Sequence, residues 1–321
     1  MKFLLFILIS FSASNLAEPE YQKGHRQVWA WASGSHNVEA QLAQLRNSTW
    51  AKLIDGIQAW CGCSFTADGI ALNTTTWTQC LPLMRTAQRN NVQFQLIVSG
   101  SVPPAAIEDP DKFVKDAVEI HRFTGVDGFS LDDERDCAPR ATTEELEGWV
   151  SFHIALAQGL ENYNSSLRLT SAIQAVFGIQ SNNPDNEPCQ KKPAEYPLDE
   201  RVVQLFQTTT GVQKWLVMDT YYFNTGRFLT TLDWHATYIR KDELAIGLQN
   251  RTDLSTDDLV ARFYAIERHQ VDWINIFMMP VADQFLPHLQ RYKSYCLACG
   301  KQIILGCYDM DIECHPSDES D

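Results

Sequence analysis

Val126-Asp127-Gly128-Phe129-Ser130-Leu131-Asp132-Asp133-Glu134 is a short apolar run that turns acidic at its end. From Val126 to Leu131 it reads as a β-strand. Seven similar runs flank it. Val28–Ala32, Lys52–Ala59 and Gln93–Val98 precede it, and Leu167–Ile173, Lys214–Thr220, Leu244–Leu248 and Trp273–Phe277 follow. Longer amphipathic patterns lie between them. Val38 to Trp50 spaces its apolar residues near the helical period, and Asp111 to Phe123 places Phe113, Ala117, Ile120 and Phe123 on one face. Thr74 to Asn90 is a third helix, with Pro82 expected near a turn or at a kink. Thr142-Thr143-Glu144-Glu145 caps a helix running towards Tyr163, and Ser255-Thr256-Asp257-Asp258 caps one running towards Gln270.

Strands alternating with helices imply a parallel sheet with crossover helices, and eight such units imply closure into a (β/α)8 barrel. The 321 residues suit one barrel, which takes about 250 plus insertions. An open doubly wound sheet is the competitor. It usually carries a glycine-rich first turn for phosphate, whereas the first strand here leads into Ser33-Gly34-Ser35-His36. The polar stretch from Ser181 to Pro197 reads as a long loop after the fifth strand. Residues 24–295 form the expected barrel and 296–321 a Cys-rich appendage.

The active site of a barrel sits at the carboxyl ends of its strands. Residues two apart on a strand point the same way, roughly 6.5 Å apart. Ser130, Asp132 and Glu134 are therefore expected to line the mouth, with Leu131 and Asp133 turned to the helix layer. Two carboxyl groups so placed suit glycoside cleavage: one protonates the leaving oxygen while the other supports the developing cation. Each also holds back the other's ionisation, which keeps a proton available near neutrality.

The stretch resembles the signature of glycoside hydrolase family 18, the chitinase-like and chitobiase-like barrels: apolar, Asp or Asn, Gly, apolar, Asp or Asn, apolar, Asp or Asn, any residue, Glu. Val126, Asp127, Gly128, Phe129, Leu131, Asp132 and Glu134 comply, and Ser130 departs. The resemblance implies Glu134 as general acid. Asp132 would orient the substrate's own 2-acetamido group, which acts as nucleophile. It implies retaining, substrate-assisted hydrolysis of β-linked N-acetylglucosamine glycans without a cofactor or metal. Ser130 stands where the family has a charged neighbour, and its hydroxyl could hydrogen-bond to Asp132. A second, weaker match is Met218-Asp219-Thr220-Tyr221-Tyr222, from which Asp219 and Tyr221, or Tyr222 instead, would hold the acetamido group. Aromatic residues at other strand ends are candidate sugar platforms: Trp31, Trp60, and Trp273 with Phe277. Core packing is the alternative for each. Gln249 ends the seventh strand and could reach a sugar hydroxyl.

Two other readings stay open. Gly125 to Asp132 also suits glycoside hydrolase family 114, the spherulin-like polygalactosaminidases, whose strand ends in Asp. A catalytically silent, sugar-binding barrel is the other, although such lectins lose the final Glu that is kept here. Among further chemistries, the acidic cluster with Asp136 could bind Ca2+. There is no nucleophile elbow, no H-E-x-x-H and no Walker loop. His235 and His269 read as surface residues.

A net charge of −14 without a basic run excludes nucleic acid and anionic membranes as partners. Lys2 and the apolar run Phe3–Phe11, followed by small residues to Ala17, read as a cleaved signal peptide, 1–17. Four Asn-x-Ser/Thr sites, at Asn47, Asn73, Asn164 and Asn250, fit passage through the secretory pathway to the exterior or a lumen, lysosomes included. Nine cysteines fit that compartment as disulfides. Zinc is the alternative for Cys296, Cys299, Cys307 and Cys314. The expected mature protein is a soluble monomeric glycoprotein.

Overall fold

The computed structural model describes residues 26–133, 143–173, 214–217, 224–250 and 252–294. Its strands are β1 (Gln27–Ser33), β2 (Gly56–Thr66), β3 (Gly69–Leu72), β4 (Gln93–Ser99), β5 (Gly128–Asp132), β6 (Arg168–Ile173), β7 (Lys214–Val217), β8 (Leu244–Gln249) and β9 (Trp273–Phe277). All except β3 pair in parallel, and β1 bonds both β9 and β2, which closes the ring. The molecule is a closed eight-stranded (β/α)8 barrel wrapped in helices. The helices are α1 (Val38–Arg46), α2 (Ser48–Leu53), α3 (Thr74–Arg89), α4 (Pro104–Glu108), α5 (Pro110–Thr124), α6 (Thr143–Tyr163), α7 (Thr225–Tyr238), α8 (Thr256–Arg268) and α9 (Leu286–Ser294).

Several elements depart from their sequence reading. The helix expected over Val38–Trp50 breaks at Asn47. Its backbone N–H closes α1, and its side chain accepts from the Thr49 and Trp50 amides to open α2. Lys52 and Leu53 therefore belong to α2, and the second barrel strand starts later, at Gly56. That strand runs through a bulge at Gly62, whose φ of +81° favours glycine, into an antiparallel hairpin with β3. Pro82 lies inside an unbroken α3. It sits on the exposed face, as does Thr78 four residues earlier, whose carbonyl loses its helical donor. His235 is buried in α7, on the face it shares with Phe228, Thr231 and Leu232, and Nδ1 meets the Thr231 carbonyl at 2.9 Å. Burial pushes its pKa down to about 4, so it is neutral at pH 7.

Alternate strand residues point into the barrel. There Trp29, Trp31, Ile97, Ala172, Leu216, Ala245 and Trp273 pack together. A polar girdle crosses the middle. Gln58 Oε1 accepts from Trp31 Nε1 (2.7 Å) and Asn275 Nδ2 (2.6 Å), and Gln58 Nε2 donates to Gln95 Oε1 (3.0 Å) and Thr170 Oγ1 (2.8 Å). At the amino end Trp29 stacks on Trp273 with ring centroids 4.4 Å apart. The buried Lys214 ammonium donates to Asp272 and to the Asp242 carbonyl.

Glu243, beside this amino end, is 6% exposed. Burial raises its pKa from 4.5 to about 7, although Arg240 opposes the shift. A carboxyl with a raised folded pKa costs stability as pH climbs from the unfolded value through the folded one. Glu243→Gln is thus expected to stabilise the protein by about 1–3 kcal/mol at pH 8. At pH 4 the gain should vanish, and thermal melts at both pH values check this.

Candidate active site

Asp132 is the last residue of β5 and is 6% exposed. Its inward direction follows from strand alternation, and its outward neighbours show the same rule. Asp133 Oδ2 accepts from Trp149 Nε1 of α6 at 2.8 Å, so Asp133 faces the helix layer as expected. Asp132 and Asp133 therefore leave the strand on opposite sides, and Glu134 and Asp136, the other members of the Ca2+ alternative, lie outside the described residues. Among the described residues no group of three or more His, Cys, Asp or Glu could hold a metal. Asp127, at the other end of the strand, accepts from the Phe94 amide at 2.7 Å and ties β5 to β4. Gly128 lets β6 lie close: a Cβ there would stand 2.1 Å from the Arg168 carbonyl oxygen.

The carboxylate of Asp132 is held by an aromatic residue. Trp60 Nε1 donates to Asp132 Oδ2 at 3.3 Å. Ser130 does not take this part. Its hydroxyl is fully buried in the barrel and has no hydrogen-bond partner among the described residues. The expected Ser130–Asp132 bond is absent because β5 is extended, and the two side chains stand a full pleat repeat apart.

Trp60 belongs to an aromatic box. Trp31 meets Trp60 edge-on at 4.6 Å and Phe277 at 5.3 Å, and Trp60 meets Phe277 at 5.9 Å. Trp31 is buried as the floor, while Trp60 and Phe277 remain half-exposed. Gln249 pairs with Phe277 in register, and its Oε1 has no hydrogen-bond partner among the described residues. Asp132, Trp31, Trp60, Phe277 and Gln249 thus come from five strands to one end of the barrel. The arrangement offers an anchored acid beside rings that match the apolar faces of a sugar.

Trp273 is not brought to this mouth. It opens β9, stacks on Trp29 and lies 5.8 Å from the Lys214 ammonium, at the amino end. The same strand carries Phe277 on the same face, four residues or about 13 Å further on. Counting along the strand would have selected Phe277 over Trp273. Sequence reasoning did not foresee the Trp60–Asp132 bond. Glu134, Asp219, Tyr221 and Tyr222 lie outside the described residues.

Among the described residues one disulfide, Cys61–Cys80, ties β2 to α3. Cys63 is a buried free thiol whose pKa burial pushes up to about 12, which makes it unreactive. Cys137, Cys189, Cys296, Cys299, Cys307 and Cys314 lie outside the described residues, as do the signal segment, the Ser181–Pro197 loop and the 296–321 tail. No described helix is long and apolar enough to cross a membrane.

No family model and no curated protein matches this sequence. Solved structures do match. A putative chitinase C-terminal domain from Desulfitobacterium hafniense aligns with TM-score 0.61 at 11% identity, covering 84% of this chain and 99% of the other. A family 18 chitinase from Cycas revoluta in complex with allosamidin aligns at TM-score 0.58 and 13% identity, covering 84% and 98%. A class V chitinase from Nicotiana tobaccum in complex with NAG4 aligns at TM-score 0.60 and 9% identity, covering 85% and 99%. The fold is that of the family 18 chitinases. Within that chitinase-like barrel Asp132 ends the fourth barrel strand, counting without the hairpin strand β3.

Proposed function

We propose that this protein is a glycoside hydrolase that cleaves β-linked N-acetylglucosamine glycans with retention of configuration. The observation that carries the reading is Asp132, fixed by Trp60 at the carboxyl end of β5 in a chitinase-like barrel and two residues ahead of Glu134. The structural neighbours in complex with NAG4 and with allosamidin support it.

In the proposed mechanism Glu134 gives its proton to the glycosidic oxygen as the C1–O bond breaks. The acetamido carbonyl oxygen of the same sugar attacks C1 and closes an oxazolinium ring. Asp132 holds the acetamido N–H and stabilises the positive charge that spreads onto nitrogen. Tyr221, or Tyr222, donates to the acetamido oxygen, and Asp219 supports it. Water then opens the ring, with Glu134 taking the water's proton. Trp31, Trp60 and Phe277 form the platform, and Gln249 meets a hydroxyl. Ser130 sits below Asp132 and adds no charge. Residues 1–17 direct the chain to the secretory pathway, residues 24–295 form the catalytic barrel, and the protein acts as a monomer.

The test is to incubate the purified protein with an N-acetylated chito-oligosaccharide and read the first product anomer by NMR. The β-anomer is expected, with no turnover of the de-N-acetylated analogue, which lacks the internal nucleophile. Release of the α-anomer, or cleavage of a galactosaminyl polymer instead, overturns the reading. Binding without turnover supports a lectin.

A further inference from the structure

The four Asn-x-Ser/Thr sites are alike in sequence and unlike in structure. Asn47 and Asn73 are exposed N-caps of α2 and α3. Both use only the side-chain oxygen: Asn47 Oδ1 accepts from the Thr49 amide at 2.9 Å, and Asn73 Oδ1 accepts from the Thr76 amide at 3.1 Å. Asn164 is half-exposed after α6, and its Oδ1 accepts from the Ser166 amide (3.0 Å) and hydroxyl (2.8 Å). At all three, Nδ2 makes no hydrogen bond among the described residues.

Asn250 is different. Its Nδ2 donates to the Met278 carbonyl at 2.7 Å and the Pro280 carbonyl at 2.6 Å, and its Oδ1 accepts from the Ala282 amide at 2.8 Å. Both N–H donors of this amide are committed, and its oxygen accepts a third bond. The three bonds fasten the turn after β9 to the end of β8, next to Gln249 and Phe277 of the mouth.

We propose that the folded protein carries N-linked glycans at Asn47, Asn73 and Asn164 and none at Asn250. In the transfer, Nδ2 bonds to the anomeric carbon of a lipid-diphosphate-linked oligosaccharide. The C1–O bond to phosphate breaks, the lipid diphosphate leaves with the electron pair, and the amide loses one proton. The modified amide keeps its oxygen and one N–H. The three Oδ1-based motifs therefore survive glycosylation intact. Asn250 needs both N–H groups, so a sugar there strips one carbonyl of its donor and pushes into the 278–282 turn. A chain modified at Asn250 does not close this turn, and the folded population excludes it. Asn47 and Asn164 precede β2 and β6 at the amino end, and Asn73 follows the β2–β3 hairpin, so none of the three glycans shares the 278–282 turn.

The experiment is to express the full chain in a secreting eukaryotic cell, collect it from the medium and deglycosylate it enzymatically in 18O water. Peptide mass spectrometry should find labelled Asp at positions 47, 73 and 164 and unlabelled Asn at 250. Label at Asn250 in the folded protein, or its absence from any of the other three, overturns the proposal. Thr252→Ala destroys the fourth acceptor site without touching Asn250. It should change neither glycan mass nor melting temperature, and loss of one glycan mass would again overturn the proposal. Asn250→Asp should lower the melting temperature or the secreted yield, and an unchanged protein would count against the structural role of this amide.

Discussion

Glu134→Gln is expected to lower kcat on a chito-oligosaccharide by about 10²–10⁴-fold, with KM little changed, because the amide keeps the shape and lacks the transferable proton. Asp132→Asn should cost about 10²–10³-fold, since it removes a charge aimed at the oxazolinium rather than a proton donor. Trp60→Phe separates positioning from chemistry. It keeps the ring and deletes the N–H that donates to Asp132 at 3.3 Å. A hydrogen bond to a charged group contributes about 1.5–3 kcal/mol, so a loss of roughly 10–100-fold in kcat is expected. Initial rates over a range of substrate concentrations distinguish the three. Full activity in Glu134→Gln would remove the proposed acid. A purely KM effect in Trp60→Phe would make the indole a sugar platform and not a holder of Asp132.

The barrel was legible because its strands are buried on both faces and read as near-continuous apolar runs, from Val28–Ala32 to Trp273–Phe277. The hairpin strand β3 was not legible. Gly69–Leu72 is four residues long, and its pairing with β2 depends on a bulge at Gly62 that has no periodic signal. The direction of Asp132 and Asp133 followed from strand alternation alone. The partner of Asp132 did not, since Trp60 is 72 residues away in sequence and lies on β2, across the intervening strand β4. Gln58, Gln95 and Asn275 did leave a trace: polar residues set within otherwise apolar strands mark interior positions that must bond to one another. His235 misled because a polar residue can occupy a buried helix face once it is neutral and bonded to the preceding turn.

The closed end of the barrel yields the largest expected loss of stability. Lys214 begins β7 with its side chain inside the barrel, 1% exposed, and its ammonium donates to Asp272 and to the Asp242 carbonyl. Burial pushes Lys214 down and Asp272 up, and their mutual attraction opposes both shifts. Asp272→Ala strands the cation beneath the stacked Trp29 and Trp273 rings and should destabilise the protein by about 3–5 kcal/mol. For a chain of this size that is a fall of roughly 4–8 °C in melting temperature. Without Asp272, burial still outweighs the attraction of Asp242 and Glu243, and Lys214 keeps a folded pKa below its unfolded value. Its folded form sheds the proton first, so the deficit of Asp272→Ala should shrink as pH rises towards 10. The double variant Lys214→Met/Asp272→Leu removes both charges and should recover most of the loss, because well-packed apolar groups replace a buried ion pair at little cost. Equal stability of Asp272→Ala and wild type at pH 7 would mean that water reaches Lys214 from the amino end.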